Sequence, residues 1–310
     1  MTRRTPIQTR ARSFAALLGV ILVAACSADS GEPSSTRSAS PEIGIEILDD
    51  ADRTLRLARP AQRIVSLVPS VTETIVALGE AGRLIARTDY DRGRAVEDLP
   101  SVGGGLDPSA EALVALQPDL VIAWRSARGG GFRQALRSAD IPVYSASLED
   151  TADVFRTFER VGRLLGIPGA AGDLARALRD SLAAVAADRR PGPGPTVLFT
   201  LLGSPPRTAG PGTFVAQILE IAGGRLAFPE LEQRWPEVSL EAIVERQPDV
   251  LIVPVDSGVD PRALLADRPG WRDLRAVRTG RVKAVDADLF SRPGPRLAEA
   301  ARQLQRALAP

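Results

Sequence analysis

Apolar positions along the chain recur with two different periods, and the places where one gives way to the other mark out its parts. From residue 63 onwards, short β-branched runs alternate with helical patterns. RIVSLV (63–68) reads as a strand. In PSVTE (69–73), Ser70 and Glu73 have the spacing of a capping box, which predicts a helix running to about Ala77 and stopping at Gly79. A strand at 84–87, a helix at 110–116, a buried strand ending at Trp124, a helix at 131–138 and a strand at 143–145 follow. Between 150 and 189 the strand signal vanishes. Val154, Phe158, Val161, Leu164 and Leu165, then Leu174, Leu178, Leu182 and Val185, keep helical spacing, with a joint expected at 169–172. Alternation resumes with TVLFTLL from Thr196. A helix at 214–222, strands at 250–255 and 282–285, and an amphipathic helix at 295–308 complete the chain. Such alternation builds mainly parallel sheets covered by helices, so the expected fold class is α/β.

One stretch is written twice. SAEALVALQPDLVI (109–122) and SLEAIVERQPDVLI (239–252) share eight of fourteen residues, where chance gives about one, a sign of duplicated architecture. Each copy is a helix, a Gln-Pro-Asp stop and a strand. The likeness extends weakly to LGEAGRLIA (78–86) and EIAGGRLAF (220–228). Two α/β lobes (43–149 and 191–310), each with one copy, are therefore expected on either side of a helical segment (150–190). The cleft between lobes is where a small ligand would sit.

The residues ahead of the first lobe differ in character. Arg3, Arg4, Arg10 and Arg12 precede an unbroken apolar or small run (14–25), too short for a comfortable transmembrane helix and suited to a secretory leader. It ends in LVAAC (22–26), which resembles the lipobox of bacterial lipoproteins, where the cysteine is acylated. Residues 1–26 are thus expected to be a lipoprotein signal peptide with Cys26 as the attachment point. That implies an extracytoplasmic protein held to the cell envelope by lipid. A plain leader with a chance cysteine is the alternative. Residues 27–42, rich in Ser and Pro, read as a flexible tether.

Composition narrows the chemistry. There is no histidine, and Cys26 is the one cysteine, so internal disulfides, His-based triads and His-based metal sites are excluded. The 39 basic residues balance 38 acidic ones, and setting aside the leader's four arginines makes the remainder slightly acidic. Nucleic acid would want a concentrated basic surface. The triple glycines at 103–105 and 129–131 lack the lysine of a phosphate loop.

PDLVIAW (118–124), VLFTLLGSPPRTAG (197–210), VAQILEIAGG (215–224), WPEVSLEAIV (235–244) and RPGPRLAEAARQLQRAL (292–308) together resemble the substrate-binding proteins of ABC importers. Within that family they resemble its cobalamin-binding branch. The resemblance covers nearly all of 63–308. Relatives that carry ferric siderophores or haem share the fold, and a ferric siderophore is the alternative cargo. The resemblance implies two Rossmann-like lobes joined by a long rigid inter-lobe helix, the class III periplasmic-binding-protein fold. It also implies a monomer that takes cobalamin or a related corrinoid into its cleft and docks on an ABC permease dimer with its ATPase subunits. It implies no catalytic residue, cofactor or resident metal.

Residue roles follow from the same resemblance. Glu111 and Glu241, third in each repeat copy, match the surface glutamates that dock on permease arginines. A glutamate in a first helical turn is also favoured by the macrodipole wherever it occurs, so pattern alone leaves the two roles open. Tyr90 and Trp235 match aromatic residues of the cleft, and Ser70 lies at a strand-to-helix loop that contacts the ligand. Arg292, at the cleft mouth, is expected to contact the ligand, and Arg296 is expected to be structural. Trp124, at the end of a buried strand, would face either the cleft or the core, and the core is expected. Gly105 and Arg207 stand where the family commonly has aromatics, so the cleft is expected to be less aromatic and more positive. Arg207 would bond an amide, a phosphate or an anionic siderophore, or stay solvated. An extracytoplasmic enzyme and a structural or signalling lipoprotein are the rival classes. The first would need paired carboxylates, and none converge among these residues.

Overall fold

Parallel pairing organises both halves of the chain. The computed structural model describes residues 44–127 and 131–309; the leader, Cys26 and the tether at 27–42 lie outside the described residues. An antiparallel hairpin of β1 (Ile45–Leu48) and β2 (Thr54–Leu57) comes first. Then follow β3 (Ile64–Ser66), α1 (Pro69–Ala77), β4 (Leu84–Ala86), α2 (Ala110–Ala115), β5 (Leu120–Trp124), α3 (Phe132–Ser138) and β6 (Val143–Ala146). These four strands are parallel in the order β4-β3-β5-β6. Helices α4 (Thr151–Leu165) and α5 (Pro168–Ala187) come next, with no strand between them.

The second half contains β7 (Thr196–Leu201), β8 (Arg207–Thr208), α6 (Phe214–Ile221), β9 (Arg225–Leu226), α7 (Leu240–Arg246) and β10 (Val250–Val255). It ends with α8 (Pro261–Ala266), α9 (Arg275–Arg278), β11 (Val282–Asp286), α10 (Ala287–Ser291) and α11 (Leu297–Leu308). Strand β7 pairs in parallel with β10 and, at its start, with β9, while β10 pairs in parallel with β11. Strand β8 returns antiparallel along the end of β7. Each lobe therefore sets its first core strand between the second and the third: β3 between β4 and β5, β7 between β9 and β10.

The repeated stretch does the same work in both lobes. Ser109 and Ser239 are N-caps of α2 and α7, their hydroxyls accepting from the N–H of Ala112 at 3.2 Å and of Ala242 at 3.1 Å. Gln117 and Gln247 then adopt the left-handed backbone, with φ of 46° and 45°, which breaks the helix and turns the chain. The aspartate of each copy ties the third strand back to the first. The Asp119 carboxylate accepts from the backbone N–H of Gln62 at 2.8 Å and of Arg63 at 2.9 Å, and its own N–H donates to the Arg63 carbonyl at 2.9 Å. The Asp249 carboxylate accepts from the N–H and hydroxyl of Thr196 at 2.9 and 2.7 Å, and its N–H donates to the Thr196 carbonyl at 2.9 Å. The Thr196 N–H bond, against the opposing effect of burial, and then the Thr196 hydroxyl, Arg275 and Arg225 hold this carboxyl below its usual range.

The helical inter-lobe segment is built as two helices. Gly166, with φ of 74°, caps α4, and Pro168 opens α5 at its first turn. The joint thus falls at 166–168 and not at 169–172, because Gly169 and Gly172 are tolerated inside α5. Helix α4 buries Val154, Phe158, Val161, Leu164 and Leu165, and α5 buries Leu178, Leu182 and Val185. These side chains belong to one core that also holds Ile64, Ile75 and Ile122 of the first lobe and Val197, Phe199, Val215 and Leu304 of the second. An outer core on each lobe packs the far face of its sheet.

Two helix starts differ from expectation. Helix α1 has no capping box: Val68 is its N-cap without a side-chain bond, and Pro69 begins it. Proline supplies the helical φ and removes an N–H that would need a partner, which frees Glu73 to face elsewhere. The last helix begins at Leu297, with Arg296 as its N-cap and Pro295 outside it.

Asp119→Ala and Asp249→Ala are each expected to lower stability by about 1–3 kcal/mol, the cost of leaving backbone donors at a strand entry unpaired, measured by urea denaturation. The carboxyl of Asp249 has a pKa depressed by folding. Its contribution is therefore present at neutral pH and is lost as pH falls through the folded value.

Candidate ligand-binding cleft

In open parallel sheets, ligands gather beyond the carboxyl ends of the strands, where loops leave the sheet. At those ends both lobes expose apolar side chains. Tyr90, on the loop after β4, is 59% exposed, and Leu106, in the segment before α2, is also 59% exposed. Leu201, the last residue of β7, is 41% exposed. Large apolar groups left in water at strand ends mark an interaction surface better than any buried residue does. Trp235 completes the second lobe's rim half-buried. Its ring leans on Phe199 at 6.3 Å, and Phe199 packs on Phe290 at 5.5 Å. The aromatic rim of this lobe is therefore backed by a stack of buried rings.

Arg207 lies on this rim but is not a free cation. Its residue pairs with Leu201 in the β7–β8 ladder and bridges to Glu237. Its Nε and Nη2 donate to Glu237 Oε1 at 3.2 and 2.8 Å. Both side chains are half in water, so the pair adds little to stability. What it does is neutralise the charge that the sequence alone assigns to this edge.

Gly105 has a physical reason of its own. A Cβ there would be driven into the carbonyl oxygen of Leu67, and it would also meet Trp124 Nε1 at 3.5 Å. The chain passes too close to β3 for any side chain at this position, and the neighbouring Leu106 points outwards in its place. Trp124, expected in the core, is half-buried beneath this crossing and packs against the edges of two core clusters.

The other expected residues are distributed as follows. Ser70 is fully buried, its hydroxyl has no hydrogen-bond partner among the described residues, and its backbone carbonyl would lie 3.3 Å from a Cβ at Gly294. It packs the two lobes together and is not presented at the cleft surface. Arg292 is 7% exposed and donates to Glu73, to Asp288 and to the Tyr90 carbonyl. Its two terminal nitrogens are thus engaged by neighbouring residues. Arg296 binds Glu73 through Nε and Nη2 at 3.2 and 3.1 Å. Burial alone would lower its pKa; the Glu73 bonds, with Glu299 and Asp288, raise it above the usual value instead. Glu111 and Glu241 are both exposed in the first turns of α2 and α7. Among the described residues neither takes part in a salt bridge.

Sequence reasoning did not find Leu106, Leu201 or Glu237, and it gave Glu73 a capping role instead of its contacts with Arg292 and Arg296. Leu201 could have been noticed as an apolar residue at the very end of a strand, and Glu237 as the nearest acid to Trp235. Gly105→Ala is expected to cost about 1–3 kcal/mol through the collision with Leu67, read as a lowered melting temperature.

The geometry has counterparts. A model of the periplasmic binding protein family matches residues 64–289, the span of both sheets. An uncharacterised ABC transporter substrate-binding lipoprotein of Bacillus subtilis, YvrC, is 28% identical over 98% of both chains. A cobalamin-binding protein of Halobacterium salinarum is 31% identical over 81% of this chain and 70% of its own. The crystal structure of the periplasmic haem-binding protein HutB of Vibrio cholerae superposes with a TM-score of 0.73 at 25% identity, covering 80% of this chain and 99% of that one. With a family model matching across both parallel sheets and a relative at 31% identity over most of its length, the chain belongs to the periplasmic binding protein family.

Proposed function

We propose that this chain is the substrate-binding protein of an ABC importer, one that takes cobalamin or a related corrinoid into its inter-lobe cleft and delivers it to the permease. The observation that carries the reading is the set of exposed apolar side chains on loops and strand ends of both lobes, Tyr90 and Leu106 in the first and Leu201 in the second, with the partly buried Trp235 beside Phe199. Broad apolar faces of this kind suit a large flat macrocycle. The Arg207–Glu237 pair supports the same cargo. A polyanionic ferric siderophore would have to compete with Glu237 for the arginine, whereas an amide can bond both members at once.

Haem is the second reading, favoured by the likeness to a haem-binding structure. Haem iron is usually held by His, Cys, Met or Tyr. The chain has no histidine, and its one cysteine and one methionine, Cys26 and Met1, lie in the leader. Of the two tyrosines, Tyr144 is fully buried, so Tyr90 would have to serve alone. A corrinoid makes no such demand on the protein.

Delivery rests on Glu111 and Glu241. They occupy equivalent helix starts in the two lobes, and free carboxylates at a rim give steering and register against arginines of a two-subunit permease. The lipoprotein name of the Bacillus relative supports attachment through Cys26 on the extracytoplasmic side.

Titration with cyanocobalamin, haemin and a ferric hydroxamate tests the cargo. Micromolar or tighter 1:1 binding of cyanocobalamin is expected, weakened about tenfold or more in Trp235→Ala, as for a central aromatic contact. Preference for either of the other ligands would overturn the corrinoid reading. For docking, the double variant Glu111→Ala with Glu241→Ala is expected to bind cargo normally and to lose uptake. Intact uptake would remove the docking role.

A further inference from the structure

An ion cluster crosses the lobe boundary beneath the Tyr90 loop. Glu73 comes from α1 of the first lobe; Asp288, Arg292 and Arg296 come from α10 and the turn that leads into α11. Arg292 Nη1 donates to Glu73 Oε1 at 3.3 Å and to Asp288 Oδ2 at 2.7 Å, while its Nη2 donates to the backbone carbonyl of Tyr90 at 2.5 Å. Arg296 grips the same Glu73 from the side. Arg292 Nη2 also meets Asp288 Oδ1 at 2.5 Å, so Asp288 faces both arms of the fork while Glu73 meets one of them from across the lobe boundary. A guanidinium is a rigid fork of donors, so what fixes one arm dictates where the other arm points. Here it points at the peptide that carries the most exposed aromatic ring of the first lobe.

The loop needs such a hold. Bonds within it shape the turn: the Asp91 carboxylate accepts from the Thr88 N–H and hydroxyl at 2.6 and 2.8 Å, and the Asp89 N–H donates to the Gly103 carbonyl at 3.0 Å. None of these reaches the second lobe. Under residues 91–95 lies a cavity of about 440 Å³, walled by Val76 and Ala77 of α1 on one side and by Asp288, Arg292 and Arg296 on the other. The Arg292 bond to the Tyr90 carbonyl ties the loop to the second lobe beside this groove.

We propose that Glu73 is a positioning residue for cargo: by holding Arg292 across the lobe boundary, it fixes the Tyr90 peptide and so sets the ring against the ligand. The proposal rests on the reading that Tyr90 lines the cargo cleft. It assigns Glu73, which touches no ligand, a part in affinity.

The test compares wild type, Glu73→Gln, Glu73→Asp, Tyr90→Ala and the double variant Glu73→Gln with Tyr90→Ala. Amide hydrogen exchange is measured without ligand, and cyanocobalamin affinity by titration. Glu73→Gln is expected to speed exchange at residues 88–95 by about tenfold while residues 120–124 of β5 keep the wild-type rate, a local opening and not a global one. It is expected to weaken cyanocobalamin binding about fivefold alone and less than about twofold in the Tyr90→Ala background, since residues acting through one another are not additive. Glu73→Asp, which keeps the charge, is expected to recover part of both effects. Unchanged exchange in the loop, equal acceleration in β5, or affinity losses that multiply would each overturn the proposal. If wild type leaves cyanocobalamin unbound, the corrinoid reading fails by itself, and the exchange measurement still decides whether Glu73 holds the loop.

Discussion

Nearly everything else in the molecule depends on the burial of α4 and α5 against both lobes at once. Side chains from the two helices fill a single core that reaches from Ile64 in the first sheet to Phe199 in the second. Domains separated by thin, polar interfaces move by default, whereas a large apolar contact holds them. Opening these lobes widely would expose Phe158, Leu164 and Leu178 to water at a cost of roughly 25 cal/mol for each Å² uncovered. The cleft geometry is therefore largely set before any ligand arrives, and the side chains on its rim decide what fits.

On that frame the duplicated stretch supplies the same device to each half. A serine starts a helix, a glutamine in left-handed conformation ends it, and an aspartate ties the next strand to the first strand of its sheet. The order of the four parallel strands is the same in both lobes. The glutamate of each copy takes no part in these bonds. This separation explains how one short segment holds both a structural residue and a surface one, only eight positions apart in sequence.

Much of the fold was legible because its signals are local. Strand and helix alternation, the repeat, and the helical stretch after residue 150 all follow from periods that a window of sequence can show. The hairpin of β1 and β2 was missed; its strands lie ahead of residue 63, where the alternation of strand and helix begins. The joint between α4 and α5 was placed a few residues late, since four positions contain two glycines and only the structure shows which glycine leaves the helix. At the cleft, Tyr90 and Trp235 could be named from resemblance, but burial of Ser70 and Arg292 could not. Both are polar residues beside a loop, and what removes them from the surface is the other lobe, brought there over more than two hundred residues of chain. Glu73 was legible as a residue and misread in role, because the capping-box spacing is local while its true partners are distant.

The shared core has a consequence for traffic at the membrane. If Glu111 and Glu241 are the handles, a body that hardly flexes presents them at one spacing whether loaded or empty. An empty carrier then occupies the same landing site as a full one, and each blocks the other. Uptake would slow when unloaded carriers outnumber transporters, even with cargo abundant, so the copy number of this protein relative to its permease becomes a control on flux in its own right.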